Sequence, residues 1–305
     1  MSQLFGLLNV NKPAVWSSRK VVDCVARAVR PAKAGHAGTL DPMATGVLVV
    51  AVGRATRLIG FVQEQSKSYS ATFLLGQRSN TDDVTGEVTE HAVEREPARD
   101  ELETALRRFV GRIEQVPPQF SAVHIDGRRA YKLARQGETL ELHPRTVEVF
   151  RAELTRYEYP KIDLDIECGS GTYIRSVGRD LGEMLGCGAV MSRLERTAIG
   201  GFRLDDAVDP HELSPERVAE HLLPAALAVG HLPAFHCTAD DVQVLRHGRR
   251  IPLRNQLRSP AFSKSAASDR GETIAVFAPD GELAALGESQ NDGTLAPRHV
   301  FCDAL

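Results

Sequence analysis

The sequence predicts an α+β protein, because strand-like and helix-like segments are mixed without a regular alternation of strand, helix and strand. A continuous apolar run at residues 47–52 is typical of a buried strand, whereas the valines between residues 21 and 29 recur at helical spacing. The length of 305 residues suggests about two domains. A change of pattern near Gly230 predicts a first domain at residues 1–229 and a small β-rich domain at residues 230–305.

The first domain is predicted to combine short strands with amphipathic helices. Strands are expected at residues 7–10, 47–52 and 68–75, and helices at residues 21–29 and 101–110. Ser17 or Ser18 can cap the first helix, and Pro31 ends it. Further along the chain, the patterns predict a strand hairpin at residues 147–158 and 161–168, a helix at 171–185, and a helical stretch at 213–229 that Pro215 and Pro224 interrupt.

Two other segments have distinct patterns. Residues 120–145 are polar and basic and follow two prolines, which predicts a segment that projects from the domain and contains a short helix. In the second domain, short strands are separated by turn signals, and Pro279-Asp280-Gly281 lies between two apolar runs as a hairpin turn would.

Composition is that of an ordinary globular protein, with 42% apolar and 25% charged residues. No apolar run approaches the roughly 20 residues that span a membrane, and the N-terminus lacks a signal-peptide pattern. The five cysteines form no CxxC pair, which argues against a structural zinc site and for a reducing compartment. We therefore expect a cytoplasmic protein. Because no coiled-coil pattern is present, we also expect a monomer that requires no protein partner.

Charge is unevenly distributed, although the net charge is only -3. Residues 1–60 contain eight Lys and Arg against two acidic residues, whereas residues 80–104 contain nine acidic residues against two Arg. A basic N-terminal face would attract phosphate groups. A solvated surface of uneven charge would show the same distribution, so charge alone leaves a nucleic-acid partner open.

A glycine-rich loop, Gly35-His-Ala-Gly-Thr-Leu-Asp-Pro-Met-Ala-Thr-Gly46, precedes the buried strand and carries one carboxylate, Asp41. Four interpretations are open. The loop could bind phosphate, but it lacks the GxxxxGK[ST] pattern. It could bind a metal through His36 and Asp41, but two ligands are too few without a third. Asp41 could instead close an Asx-turn before Pro42, or it could act as a nucleophile.

A nucleophilic role suits this loop, because glycines let a large planar substrate approach the backbone. Ordinary glycoside hydrolysis needs a second carboxylate as acid and base. The acidic candidates downstream, Asp82 and Asp83, lie in a polar stretch that predicts an exposed turn rather than a buried pair. A lone acid therefore favours isomerisation over hydrolysis.

Four groups of residues occur in the order found in one known enzyme family. They are Asn11-Lys-Pro with Ser17-Ser18 and the loop of residues 33–46; Lys67-Ser-Tyr69 with residues 75–86; residues 115–122 with 127–131; and Gly171-Thr-Tyr-Ile-Arg175 with residues 180–189. In this arrangement, roughly residues 5–205 resemble the TruB family of tRNA pseudouridine synthases. The resemblance implies a pseudouridine-synthase fold, with a central mixed or antiparallel sheet flanked by helices, and a PUA-like C-terminal domain.

The resemblance also implies roles for single residues. Asp41 corresponds to the catalytic nucleophile, Arg175 to the arginine that pairs with it, and Tyr69 to a tyrosine that stacks on the target base and is a candidate for proton transfer. The residues that correspond to other substrate contacts are His36, Tyr173 and Leu194. By pattern alone, Arg175 would be a surface charge of a helix and both tyrosines would be ordinary core residues.

By the same resemblance, the substrate is uridine 55 in the T loop of tRNA, which is isomerised to pseudouridine without a cofactor or a metal. The base must leave its stack to be reached, and residues 120–145 correspond to an insertion that closes over the T arm. Attack on uracil C6 and attack on ribose C1′ both stay open. A non-catalytic tRNA-binding or tRNA-folding module and a glycosidase that releases uracil are the alternatives. Asp41, Tyr69 and Arg175 together favour the enzyme, because a binding module does not need all three.

Overall fold

The computed structural model describes residues 4–121, 124–125, 128–129, 142–253 and 271–302. Within these ranges strands and helices are mixed, which confirms the α+β class. The strands are β1 (Gly6–Lys12), β2 (Ala34–His36), β3 (Thr45–Val52), β4 (Lys67–Leu75), β5 (Gln77–Ser79), β6 (Val88–Glu90), β7 (Gly111–Gln115), β8 (His124–Ile125), β9 (Arg128–Arg129), β10 (Arg145–Glu158), β11 (Lys161–Cys168), β12 (Ala189–Ile199), β13 (Phe202–Arg203), β14 (Ala234–His236), β15 (Ile251–Pro252), β16 (Thr273–Phe277), β17 (Leu283–Ser289) and β18 (Thr294–Val300). The α-helices are α1 (Ser18–Ala28), α2 (Ile59–Glu64), α3 (Arg99–Arg107), α4 (Ile174–Met184), α5 (Pro215–His221) and α6 (Ala239–Arg246).

A mixed sheet of nine strands forms the body of the larger part of the protein. Its order is β1-β3-β12-β4-β11-β10-β7, with β2 beside β3 and β13 beside β12. β3 and β12 run parallel, and the other neighbours are antiparallel. The predicted strands at 47–52 and 68–75 and the predicted hairpin are confirmed as β3, β4 and β10–β11. β12, which is not among the strands predicted above although Leu194 by itself would be a strand core residue, lies in the middle of the sheet.

The helices pack on this sheet through the apolar faces that their spacing predicts. α1 begins after Ser17, whose hydroxyl accepts a bond from the backbone N–H of Lys20 at 3.1 Å, so Ser17 rather than Ser18 is the cap. The valines of α1 are buried against β1 and β3. α4 packs Val177 and Leu181 against β4, β11 and β12. The sheet and α4 together position the cavity described below.

A second sheet of five strands, in the order β14-β16-β17-β18-β15, forms the β-rich C-terminal part. Leu286 and Phe301 of this part share one apolar cluster with Leu7 and Val49 of the first sheet. The predicted domain boundary at residues 229 and 230 falls just before β14 and stays a prediction.

The predicted insertion at residues 120–145 lies largely outside the described residues. Of residues 122–141, the structure describes the short strands β8 and β9, which pair with each other. The role predicted for this insertion therefore stays a prediction. In the part of the chain that the structure describes, no helix combines the length and apolar character needed to cross a membrane.

Candidate active site

Asp41 lies between β2 and β3 in residues 37–44, here called the aspartate loop. The buried hydroxyl of Ser18, at the start of α1, accepts a bond from Leu40 N at 2.9 Å and donates to Leu40 O at 3.2 Å. On the other side of Asp41, the backbone carbonyl of Pro42 accepts a bond from the ammonium of Lys12 at 3.2 Å. The loop is thus held on both sides of Asp41, by the last residue of β1 and the first residue of α1.

The carboxylate of Asp41 pairs with Arg175, which lies in the first turn of α4 and is only 5% exposed. Arg175 Nε lies 3.0 Å from Asp41 Oδ2, and Nη2 donates to Oδ1 at 3.2 Å. Such a two-point pairing fixes the plane of the carboxylate. The turn that follows is closed by backbone, since Ala44 N donates to Asp41 O at 3.0 Å. Arg175 is therefore not a surface charge, and the Asp41 side chain serves the pairing rather than an Asx-turn.

The expectation that Asp82 and Asp83 lie in an exposed polar turn is wrong. Asp83 is 3% exposed and lies 3.4 Å from Nη1 of Arg175, on the guanidinium that also pairs with Asp41. Its Oδ1 accepts bonds from the hydroxyls of Thr81 at 2.8 Å and Thr85 at 2.6 Å. Asp82 pairs with Arg179 at 2.9 Å.

The physical reason for this burial is long-range pairing. The backbone of the turn bonds to β12 on both sides of Asp83, as Met191 N donates to Asp82 O at 3.1 Å and Val84 N donates to Met191 O at 3.0 Å. A local polar pattern carries no information about such a partner more than a hundred residues away. The carboxylates of Asp41 and Asp83 therefore share one guanidinium.

Burial raises the pKa of Asp41 above its usual value, and the charge of Asp83 raises it further, whereas Arg175 and Lys12 oppose the rise. The carboxylate itself is accessible, with a side-chain exposure of 34%. Lys12 is fully buried and donates to the carbonyls of Pro13 and Trp16 at 2.9 and 2.6 Å. Burial lowers the pKa of Lys12 to about 8. The raised pKa of Asp41 indicates a carboxylate that is more basic than usual. The lowered pKa of Lys12 means that its ammonium group loses its charge more readily than an exposed lysine does.

A cavity of about 290 Å³ opens at the carboxylate of Asp41. Of the six residues predicted for the site, five line this cavity: Asp41, Tyr69, Tyr173, Arg175 and Leu194. His36 lies at the end of β2 and is not among its lining residues. A more open groove of about 430 Å³, beside Trp16 and His211, contains none of the predicted residues. The catalytic and binding roles of the six residues stay predictions.

The two tyrosines reach the cavity from different elements. Tyr69 lies on β4, and burial raises its pKa against the opposing effect of Arg196. Tyr173 precedes α4, where Gln115 holds its backbone: Tyr173 N donates to Oε1 at 2.8 Å and Nε2 donates to Tyr173 O at 3.1 Å. Burial also raises the pKa of Tyr173. Leu194, on β12, is 6% exposed and supplies an apolar part of the wall.

Two cations of the cavity wall, Lys67 and Arg196, have no place among the predicted site residues. Lys67 donates to the backbone carbonyls of Gln63 and Gln65, and burial lowers its pKa to about 8. Strand periodicity could have indicated both, because Lys67 precedes Tyr69 by two residues and side chains two apart lie on one face of a strand. Arg196 follows Leu194 by the same spacing.

The groups that the cavity offers for chemistry include an accessible carboxylate and two phenols. The described residues contain no group of three or more His, Cys, Asp or Glu side chains that could hold a metal ion. The metal interpretation of His36 and Asp41 therefore gains no third ligand from the part of the fold that is described.

Comparison with known proteins identifies the family of the chain. Residues 26–174 match the model for the N-terminal domain of the TruB family of pseudouridylate synthases. Residues 175–229 match the model for the tRNA pseudouridylate synthase B C-terminal domain. Two relatives carry the name tRNA pseudouridine synthase B. The one from Syntrophomonas wolfei is 38% identical, covering 98% of this chain and 99% of the relative. The one from Thermobifida fusca is 41% identical, covering 97% and 98%.

Solved structures show the same fold. An H/ACA RNP bound to a substrate RNA containing 2′-deoxyuridine aligns with a TM-score of 0.74 and 25% identity, covering 98% of this chain and 86% of the other. A Cbf5-Nop10-Gar1 complex aligns with a TM-score of 0.73 and 28% identity, covering 98% and 84%. Together the two family models span residues 26–229, and the two relatives match over nearly the whole chain. The chain therefore belongs to the TruB family of pseudouridylate synthases.

Proposed function

We propose that the protein isomerises uridine 55 in the T loop of tRNA to pseudouridine, with Asp41 as the nucleophile. The observation that carries the proposal is the two-point pairing of Asp41 with Arg175 on the wall of a cavity that Tyr69 and Tyr173 also line. Relatives named tRNA pseudouridine synthase B support tRNA as the substrate.

In the proposed reaction, the N1–C1′ bond of the uridine breaks, the base rotates, and C5 forms a new bond to C1′. The C5 proton leaves and N1 gains a proton, so the composition of the nucleotide is unchanged. Asp41 carries the covalent intermediate, through either uracil C6 or ribose C1′. Asp83 is enclosed by Arg175 and two threonines and does not line the cavity, so it is unsuited to act as the acid of a hydrolysis.

The base must leave its stack to meet Asp41, as in other enzymes that act on nucleobases. A volume of about 290 Å³ suits a single nucleoside better than a stacked pair. The basic surplus of residues 1–60 is available to phosphates, because most of its side chains are exposed. The exposed members are Arg19, Lys20, Arg27, Arg30, Lys33 and Arg57. Lys12, by contrast, is buried and cannot contact phosphate.

The five cysteines are free, as is usual for a protein of a reducing compartment. This supports the cytoplasmic location that we propose for the enzyme.

Substitution of Asp41 by Asn tests the proposal. Asp41→Asn should lower the rate of tritium release from C5-labelled uridine in tRNA by about four orders of magnitude or more, because the nucleophile is lost. The same variant should keep its tRNA dissociation constant within about tenfold, because one neutralised acid hardly changes phosphate binding. Unchanged turnover would refute the role of Asp41, and a parent protein that binds tRNA without releasing tritium would favour the binding module.

Asp180 offers a matched control for this substitution. It is a carboxylate of 33% exposure that pairs with Arg179 at 2.8 Å, and it lies outside the cavity. Asp180→Asn should therefore leave turnover nearly unchanged. Mapping of the product in a full-length tRNA transcript should show one modified position, and a transcript with cytidine at position 55 should release no tritium. Modification elsewhere would contradict the proposed target.

A further inference from the structure

Arg196 is a buried cation whose hydrogen bonds go to neutral partners. It is 2% exposed, yet it lines the cavity beside Asp41. Its Nε donates to Val47 O at 2.7 Å, and Nη2 donates to Gly38 O at 3.2 Å. Among the described residues, no carboxylate forms an ion pair with it. A buried charge without a counter-ion is costly to maintain, so the guanidinium calls for a function beyond packing.

The two carbonyl bonds connect Arg196 to the aspartate loop. Gly38 lies near the start of the loop, and Val47 lies in β3 shortly after its end. Opposite Arg196 on β3 is Gly46, at which the two parallel strands approach closely. The guanidinium is therefore fixed by the same segment that carries Asp41.

The other neighbour of Arg196 is Tyr69, which is its partner in the antiparallel ladder of β4 and β12. Paired residues project on the same face of a sheet, and both side chains line the cavity. The guanidinium lies near enough to the phenol to favour its ionised form. A guanidinium can only donate, so in a hydrogen bond between these two side chains the phenol oxygen accepts and the phenol proton is directed elsewhere.

Three charged or titratable groups act on this phenol from other elements. Arg196 favours its ionised form, whereas Cys168 on β11 and Asp41 on the aspartate loop oppose ionisation. Burial opposes ionisation most strongly, and raises the pKa of Tyr69. Of these groups, Arg196 is the one that can stabilise negative charge on the phenol oxygen.

We propose that Arg196 is a positioning residue for proton removal from C5 of the uracil, in which it orients the phenol oxygen of Tyr69 and stabilises negative charge on that oxygen. This role rests on the proposed function. After C5 has bonded to C1′, the phenol oxygen of Tyr69 takes the C5 proton as the phenol's own proton passes through a water molecule to N1. The C5–H electron pair forms the C5–C6 double bond, the C6–N1 π pair moves to N1, and Tyr69 ends the step as a phenol. Protons and charges balance over the cycle.

The test measures single-turnover rates with tRNA that carries either hydrogen or deuterium at C5 of its uridines. Arg196→Met should lower the rate by about 100-fold, as expected when a preorganised donor to a developing anion is lost. A deuterium isotope effect larger than that of the parent should appear, because C5–H cleavage becomes limiting. The tRNA dissociation constant should change by less than about threefold, since Arg196 is buried and its loss releases no phosphate contact.

A second background separates positioning from structural support. With Tyr69→Phe already present, Arg196→Met should cost less than about threefold further, because the two residues act as one unit. Equal losses in both backgrounds, with no increase in the isotope effect, would show a merely structural role and overturn the proposal. Those results would leave the proposed function intact. A parent protein that releases no C5 label from tRNA would refute the proposed function itself, and this role with it.

Two further variants keep the test decisive if Arg196→Met folds poorly. Arg196→Lys keeps a charge but lacks the fork that reaches the loop and the phenol at once. It should lose about tenfold in rate and also show an increased isotope effect. A lysine variant with the parent rate and the parent isotope effect would overturn the proposal. Arg193→Met is the control, because Arg193 lies on the same strand with a 56% exposed side chain paired to Glu195, and its rate should be unchanged.

Discussion

Gly46 provides a sharp test of how the site is built. It is the second residue of β3, next to the aspartate loop, with a φ of +100°. A Cβ atom at this position would lie 2.2 Å from the backbone oxygen of Arg196 and 2.9 Å from its backbone nitrogen. β12 cannot easily retreat, because its other edge is paired with β4 along nearly its whole length. Gly46→Ala should therefore strain both the loop and the strand that carries Arg196.

The expected cost has two parts. An L-residue at this φ stores about 1–3 kcal/mol of backbone strain. Forcing a methyl group into close-packed backbone costs about another 1–3 kcal/mol. We therefore expect the free energy of unfolding to fall by about 2–6 kcal/mol, measured by urea denaturation. A displacement of β12 by about 1 Å would also lower kcat by about 10-fold to 100-fold, because Arg196 and Tyr69 would lose their alignment with Asp41.

Gly60 is the matched control. It lies in α2, its φ is not positive, and a Cβ there would have no atom within 4 Å. Gly60→Ala should raise the free energy of unfolding by about 0.4–1 kcal/mol, through helix propensity and a less flexible unfolded chain. If the free energy of unfolding of Gly46→Ala lay within about 1 kcal/mol of that of the parent, the inferred close approach of β3 and β12 would be refuted.

Two further substitutions probe the charge and the anchoring of Asp41. Burial raises the pKa of Asp41, and the charge of Asp83 raises it further. Because the proposed mechanism requires ionised Asp41, Asp83→Asn should move the acidic limb of the kcat/KM profile to lower pH. A limb that moved to higher pH would contradict this reasoning. Ser18→Ala removes two bonds to the backbone of Leu40, so the free energy of unfolding should fall by about 1–3 kcal/mol. Its kcat should also fall, with tRNA affinity retained; a stability and a kcat equal to those of the parent would disprove the anchoring role.

The parts of the fold that the sequence predicts are those whose local pattern matches their surroundings. β3 is apolar throughout because residues 46–52 are buried, and α1 shows a clean helical period because only one face is covered. The local pattern of β12 does not match its surroundings in this way, although the strand lies in the middle of the sheet. Its outward residues Arg193 and Glu195 pair with each other, and its inward series replaces an apolar residue with Arg196. A strand that lines a polar cavity therefore loses the alternation by which strands are recognised.

The site shows the same division between local and distant information. The aspartate loop, with its glycines and single acid, is conspicuous in the sequence because its peculiarities are local. Its partners are not: Arg175 is 134 residues away, and its burial depends on α4 packing beneath the cavity. Strand period could have indicated Lys67 and Arg196 once Tyr69 and Leu194 were chosen. Nothing in the local sequence distinguishes Asp83 from the exposed acids that follow it.

The burial of Asp83 changes how the lone acid works. A guanidinium that paired with Asp41 alone would neutralise it and lower its pKa, which would make the carboxylate a poorer nucleophile. Because Asp83 binds the same guanidinium at 3.4 Å, two negative charges share one positive charge. Asp41 is then held in place by Arg175 without being fully neutralised, while burial, to which the charge of Asp83 adds, raises its pKa above the usual value. The second carboxylate therefore contributes basicity and orientation from outside the cavity, whereas a glycosidase would need it inside, within reach of the leaving group.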